Sequence, residues 1–285
     1  MSVLQAIELH DGTNVPILGQ GTWFMGDDRL LRRQEIAALR CGVDLGMTLI
    51  DTAEMYGNGR SESLVGDAVD GIREKVFLVS KVYPHHASGT GLMRSCEASL
   101  RRLRTDRLDL YLLHWRGNIP LADTVEGMEQ LVRQGKILRW GVSNLDTDDM
   151  EELIRIPGGE KCVVDQVLYH LGSRGTELDL QPWLARHGIS IMAYSPLAQG
   201  GTLRKRFLSH DALRQVAEAH QADRFQIMLA WCLRSGRVIA IPKASSVGHV
   251  KSNAHAARIR LTEEDLALLD RAFPAPDHKV ALDMV

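Results

Sequence analysis

Four polar residues within the first 114 positions have the types and spacing to carry out proton chemistry. Asp51 ends the run TLID, Lys81 follows VFLVS, His114 closes LDLYLLH, and Tyr56 lies in the loop after Asp51. Three of the four stand at the ends of short apolar runs that read as buried parallel strands. In α/β proteins the groups at the carboxyl ends of strands converge on one face, and ligands bind there. A carboxylate, a phenol, an ammonium and an imidazole gathered on that face make a proton-donating site. Each alone has a plainer reading: Asp51 could cap a helix, and a single Tyr or His in such a place is commonly structural. The four in this order point to an enzyme.

The elements that must position them alternate along the chain. IELHDGTNVPILGQGTW has a polar DGTN turn between two extended runs and reads as a β-hairpin. LGQG then serves as a first strand, followed by TLID, VFLVS, LDLYLLH, LRWGVS, CVVDQ, ISIMAYS and VIAIPK, eight in all. Amphipathic stretches of helical length lie between them, among them RRQEIAALRCGVDLG, GLMRSCEASLRRLR, LADTVEGMEQLVRQG and VGHVKSNAHAARI. Gly46, Gly135 and Gly188 sit where a left-handed residue ends a helix without steric cost. No Pro/Ser-rich linker divides the chain, so residues 1–285 read as one domain. Strict βα alternation predicts a parallel sheet with helices outside. Eight units, and site residues after many strands, favour a closed (β/α)8 TIM barrel with the N-terminal hairpin closing its bottom. No G-x-G-x-x-G follows an early strand, which leaves a Rossmann sheet unsupported.

Composition excludes several classes. The chain is 45% hydrophobic and 25% charged, with a formal net charge of −2, which is ordinary for a soluble globular protein. Basic residues are dispersed, and the densest run, RSCEASLRRLRTDR, reads as a solvated helix face rather than a nucleic-acid footprint. No apolar run is long enough to span a membrane, and no signal peptide is visible. Cys41, Cys96, Cys162 and Cys232 follow neither zinc nor disulfide spacing, which suits reduced thiols in the cytoplasm. His85 and His86 are adjacent and cannot share a metal as an i, i+4 pair would, so they read as loop surface. No metal site is expected.

DTAEMYG, the Lys after the third strand, LLHW, GVSN, AYSPL and IPKASS fall in the order and spacing of the aldo-keto reductases, with LGQGTW before them and KSN after. The chain resembles the shorter bacterial members of that family over nearly its whole length. The resemblance implies reduction of small aldehydes and ketones by NADPH, with Tyr56 as general acid, Lys81 and Asp51 as its tuning pair, and His114 orienting the substrate oxygen. A nearby ammonium stabilises a phenolate, so Lys81 is expected to make the Tyr56 proton easier to give. A Glu replaces this His in relatives that reduce steroid double bonds, so His114 favours carbonyl chemistry.

The second half resembles a cofactor site. Ser143, Asn144 and Gln166 follow strands and could hydrogen-bond a nicotinamide carboxamide, since Asn and Gln carry both donors and acceptors. Tyr194 would stack on the nicotinamide ring. Ser195, Leu197 and the AQGGT stretch would lie over the pyrophosphate, although Gly200–Gly201 alone reads equally well as an ordinary turn. Lys243 with Ser245 or Ser246 could bind a 2′-phosphate at a helix start. Many relatives place Arg six residues after this Lys; here His249 stands there and cannot form a bidentate fork. Asn253 matches the family's adenine contact. NADPH is therefore expected, with NADH less excluded than usual.

Trp23 and Trp115, at strand ends beside the proposed chemistry, would line the substrate pocket. The tail FPAPDHKVALDMV is short and implies an open pocket with breadth toward small aldehydes. The resemblance implies a monomer. Two rivals keep the fold: a Schiff-base lyase using Lys81, and an NADPH-binding subunit that serves a partner, as potassium-channel β subunits do.

Overall fold

The structure, a computed structural model, describes residues 4–284. Strands β1 (Ala6–Glu8) and β2 (Asn14–Pro16) pair antiparallel as the expected hairpin, with Ile7 opposite Val15. Its turn is built by the local sequence. Gly12 takes φ +83°, and Asp11 Oδ1 accepts the Thr13 N–H at 3.0 Å. Arg139 bolts this turn to the barrel, donating to Asp11 Oδ2 at 2.7 Å, Thr13 Oγ1 at 2.9 Å and the Asp109 carbonyl at 2.8 Å.

The eight remaining strands are β3 (Gln20–Gly21), β4 (Leu49–Asp51), β5 (Phe77–Val82), β6 (Leu110–Leu113), β7 (Trp140–Ser143), β8 (Val164–Leu168), β9 (Ser190–Tyr194) and β10 (Val238–Ala240). They pair in parallel, in sequence order. Parallel bridges from Leu18 to Ala240 and from Gly21 to Lys243 join the first strand to the last and close the ring. The seam is tight enough to require glycine. A Cβ on Gly21 would stand 2.6 Å from the Ile241 carbonyl oxygen, and one on Gly19 would stand 2.9 Å from that of Leu49.

Alternation along the strands separates two cores. Leu49, Val79, Leu110, Leu112, Val164, Met192, Ile239 and Ile241 fill the lumen, joined from below by Leu9 and Val15 of the hairpin. Their neighbours Ile50, Leu78, Tyr111, Leu113, Val142, Val167 and Ile191 point outward under the helices. The lumen residues predict where chemistry can sit. Asp51, Lys81, His114, Gln166 and Tyr194 each lie two positions beyond an apolar lumen residue, and so follow it on the inward face at the top of the barrel.

Helices α1 (Arg32–Asp44), α2 (Arg60–Val69), α3 (Gly89–Leu103), α4 (Leu121–Arg133), α5 (Thr147–Arg155) and α6 (Leu180–Arg186) follow β3 to β8 in turn. Gly46, Gly135 and Gly188 take φ values of +93°, +69° and +71° just after α1, α4 and α6, as their sequence context predicts. One-to-one alternation fails after β9, where α7 (Thr202–Ser209), α8 (Asp211–Ala219) and α9 (Arg224–Leu233) all precede β10. Then come α10 (Val247–Ala256) and α11 (Glu263–Ala272). The extra breaks have local causes: His210 ends α7 and caps α8, and the Asp223–Gln226 capping box starts α9. Among the described residues no helix is long and apolar enough to cross a membrane, and all four cysteines are free thiols.

Candidate active site

At the top of the lumen Lys81 is fully buried, and its ammonium is shared three ways. It donates to Asp51 Oδ2 at 2.7 Å, to the Thr52 carbonyl at 3.0 Å and to the Tyr56 hydroxyl at 3.2 Å. Asp51, 2% exposed, accepts on its other oxygen from Gln166 Nε2 at 2.8 Å. The end of β4 is fixed from outside by hydroxyls that the sequence reading missed. Thr22 Oγ1 donates to the Asp51 carbonyl at 2.9 Å, Ser61 Oγ to Thr22 Oγ1 at 2.8 Å, and Thr52 Oγ1 to Ser61 Oγ at 3.1 Å. Small buried hydroxyls carry no sequence signature that separates them from ordinary strand or helix residues.

Tyr56 opens a 3-10 turn, Tyr56–Gly59, in which Gly57, Asn58 and Gly59 have φ of +56°, +53° and +83°. Glycine and asparagine tolerate these left-handed angles, so YGNG lifts Tyr56 out of β4's path and delivers the chain into α2. The Tyr56 ring meets the His114 ring edge-on, with centroids 5.7 Å apart. His114 is buried, and among the described residues its Nδ1 has no hydrogen-bond partner.

Burial dominates the electrostatics. It pushes the His114 imidazole well below its ordinary 6.5, and the Lys81 charge adds to the effect, so the ring is neutral. Burial also lowers Lys81, opposed by the Asp51 carboxylate. The surroundings of Tyr56 raise its phenol. Burial, then the Asp51 charge, hold the phenol well above 10.0 rather than below it. Burial is the larger cause, because a phenolate taken out of water is disfavoured, and the Asp51 carboxylate adds to it.

The residues expected around a cofactor form a second, linked group. Gln166 donates from Nε2 to Asp51 and lies 3.0 Å from Met192 Sδ, leaving Oε1 as its acceptor. Asn144, with φ +58°, donates from Nδ2 to the His114 carbonyl and to Ser143 Oγ, both at 3.1 Å, and accepts the Tyr194 hydroxyl at 2.9 Å. Ser143 Oγ donates to the Gln166 carbonyl at 2.8 Å. These bonds orient Tyr194 and fix the ends of β7, β8 and β9 to one another. Ser195 and Ala198 have φ of +48° and +56° in a turn closed by the Ala198 N–H on the Ser195 carbonyl at 2.9 Å, with Leu197 half-buried between them. Arg204 was not anticipated. Its Nε donates to the Ala198 carbonyl at 3.2 Å, and burial lowers its pKa, since no carboxylate faces it among the described residues.

Around the start of α10, Lys243 is exposed and His249 is exposed one turn on. Ser246 Oγ accepts the His249 N–H at 3.3 Å, so this hydroxyl is the helix cap. Ser245 holds α1 through its carbonyl, which accepts from Gln34 Nε2 at 2.7 Å. Its hydroxyl is buried without a partner among the described residues. That orphaned hydroxyl, two positions after Lys243 and just before a helix, fits a phosphate, and the Gln166 acceptor fits an amide. The donor set therefore fits a phosphorylated nicotinamide dinucleotide. Asn253 is buried further along α10.

Trp23 and Trp115 both stand at the site. The Trp23 ring centroid lies 6.4 Å from that of Tyr56, and Trp115 lies 5.0 Å from His114. His86 lies partly exposed between β5 and α3, where its Nδ1 meets Ser95 Oγ at 3.1 Å and Glu54 Oε1 at 3.3 Å. His85 is exposed, and no group of side chains among the described residues is arranged to hold a metal ion.

Comparison with known proteins shows the family. The model of the aldo/keto reductase family matches residues 17–273. The chain is 54% identical over 279 residues to methylglyoxal reductase YeaE of Escherichia coli K12, covering 98% of each protein. It is 32% identical to glyoxal reductase of Bacillus subtilis 168, covering 97% of this chain and 98% of that one. A crystal structure of an aldo-keto reductase from Klebsiella pneumoniae in complex with NADPH superposes with a TM-score of 0.97 at 54% identity, covering all of both chains. The chain belongs to the aldo/keto reductase family.

Proposed function

We propose that the protein reduces small aldehydes and ketoaldehydes, methylglyoxal among them, to alcohols with NADPH. The observation that carries this reading is the Tyr56 hydroxyl 3.2 Å from a buried Lys81–Asp51 pair, edge-on to a neutral His114, in a chain of this family. Ser143, Asn144, Gln166, Tyr194, Ser195 and Leu197 would hold the nicotinamide and pyrophosphate half. Lys243, Ser245, Ser246, His249 and Asn253 would hold the phosphorylated adenosine. When bound, the cofactor supplies hydride to the carbonyl carbon.

The chain's own groups then handle the oxygen. His114, neutral, hydrogen-bonds the carbonyl oxygen and sets its direction. As negative charge develops there, Tyr56 gives up its proton and the alcohol forms. An alkoxide is more basic than a phenolate, so the transfer is favourable even from a phenol held above its ordinary pKa. Lys81, adjacent, stabilises the phenolate left behind until solvent returns the proton.

The Schiff-base reading of Lys81 is opposed by its three hydrogen bonds and complete burial, which leave the amine no free lone pair for attack. The partner-subunit reading would show NADPH binding without turnover. The Cys96, Cys162 and Cys232 thiols, free and buried, support a reducing, cytoplasmic setting, and we read the enzyme as one barrel domain acting as a monomer.

The test is NADPH and NADH oxidation, followed by absorbance, against methylglyoxal and para-nitrobenzaldehyde. Oxidation that Tyr56→Phe abolishes supports the reductase. Absence of turnover with either aldehyde and either cofactor overturns it.

A further inference from the structure

The loop between β3 and α1 displays three large apolar side chains: Phe24 at 61% exposure, Leu30 at 90% and Leu31 at 39%. Phe24 stands apart because its backbone is also unusual, with φ +64°. It occupies the third position of a turn closed by the Met25 N–H on the Thr22 carbonyl at 2.9 Å. Positive φ at that position suits Gly or Asn, and a bulky side chain there is a steric outlier. The chain thus accepts backbone strain in order to hold an apolar ring in water, two unfavourable choices at one residue. Departures of this kind concentrate where a ligand is handled.

The surroundings indicate which ligand. The Phe24 ring stacks on Trp23, with centroids 4.6 Å apart and planes 20° from parallel. Trp23 in turn stands 6.4 Å from Tyr56. Beyond Tyr56 the aromatic row continues through His114 at 5.7 Å, then Trp115 at 5.0 Å from His114, then Tyr83 at 6.0 Å from Trp115. Among the described ring contacts Phe24 meets Trp23, and Trp23 meets Tyr56.

We infer that Phe24 is a specificity-determining residue of the carbonyl site, an outer wall against which the ring of an aryl aldehyde packs while its carbonyl sits at Tyr56. This rests on the reductase reading above. Methylglyoxal held at Tyr56 is too short to reach past Trp23. An aldehyde bearing an aromatic ring carries flat apolar surface outward toward the Trp23–Phe24 stack, of which Phe24 is the exposed member. One ring–ring contact corresponds to about three- to tenfold in affinity.

Steady-state kinetics of wild type, Phe24→Ala and Phe24→Gly with methylglyoxal and para-nitrobenzaldehyde, with thermal melts alongside, test the assignment. The ratio of kcat/KM for the aryl aldehyde to that for methylglyoxal should fall about three- to tenfold in both variants, through KM. The Tm of Phe24→Gly should not drop below wild type, because glycine relieves the positive φ. An unchanged ratio in both variants overturns the inference. So does a parallel loss on both substrates with a lowered Tm, which would make Phe24 a support for the loop. Wild type that oxidises NADPH with neither aldehyde overturns the reductase reading instead, so the two failures are told apart.

Discussion

Gln166 Nε2 donates to Asp51 Oδ1 at 2.8 Å, linking two residues 115 positions apart and joining the group expected at the cofactor to the group expected at the proton. A carboxylate only accepts, so this bond fixes which end of the Gln166 amide points where and leaves Oε1 to receive an N–H. Gln166→Glu would set a second carboxylate against Asp51. NADPH affinity, read by fluorescence titration, should then fall about tenfold or more, the scale of one buried hydrogen bond replaced by an unfavourable contact. Unchanged affinity would mean that the amide is not read by the cofactor.

The Lys81–Asp51 pair has a stability signature distinct from its catalytic one. Lys81→Met leaves the Asp51 carboxylate buried without its cation and should destabilise the fold by about 3–5 kcal/mol in denaturant unfolding. The double variant Asp51→Asn/Lys81→Met removes the charge as well and should recover much of that loss while remaining inactive. A double variant no more stable than the single would show that the pair is not energetically coupled.

Two buried groups give opposite pH signs. His114 is held neutral, with its pKa below the unfolded value, so its contribution to stability is present above about pH 6.5 and is lost as pH falls. Asp165 on β8 is fully buried, with no side-chain partner among the described residues, and burial pushes its carboxyl well above 3.8, with the Asp146 and Asp149 carboxylates adding to the rise. A raised folded pKa favours the fold below the unfolded value, and that advantage drains away as pH rises. Asp165→Asn, permanently neutral and of the same shape, should therefore raise Tm, and raise it more near pH 8 than near pH 5. An equal effect at both would show that Asp165 does not change its protonation on folding.

His249 is the residue we propose tunes cofactor preference. Its backbone N–H is taken by Ser246, and its exposed imidazole cannot form the two-pronged contact that a guanidinium makes with phosphate. His249→Arg should raise the NADPH-over-NADH ratio of kcat/KM by roughly three- to tenfold, with the gain diminishing at high salt. A ratio that does not move would place the phosphate away from the start of α10.

Most of the barrel was legible because each strand interrupts a polar stretch with a short apolar run, and the residue that breaks the run marks the strand end: Asp51, Lys81, His114. Three features were not legible. The rise of the Tyr56 phenol above its ordinary range comes first from burial and then from the Asp51 charge, and depth of burial is set by residues distant in sequence. The hydroxyl chain Thr22–Ser61–Thr52 is made of residues that are unremarkable one at a time. The strain at Phe24 is a backbone angle, and its side chain gives no hint of it.

Lys243 bridges Gly21 through its backbone to close the ring, and the orphaned Ser245 hydroxyl belongs to the residue two positions on. The first and last strands therefore meet at the place where a phosphate would be gripped. A ligand that binds only the folded form adds its binding free energy to every opening that breaks its site. The amides of Gly19 and Gly21, bonded to the Ala240 and Pro242 carbonyls across the join, are where that added protection should be read by hydrogen exchange. Cofactor occupancy would then be the clasp on the barrel's first and last strands.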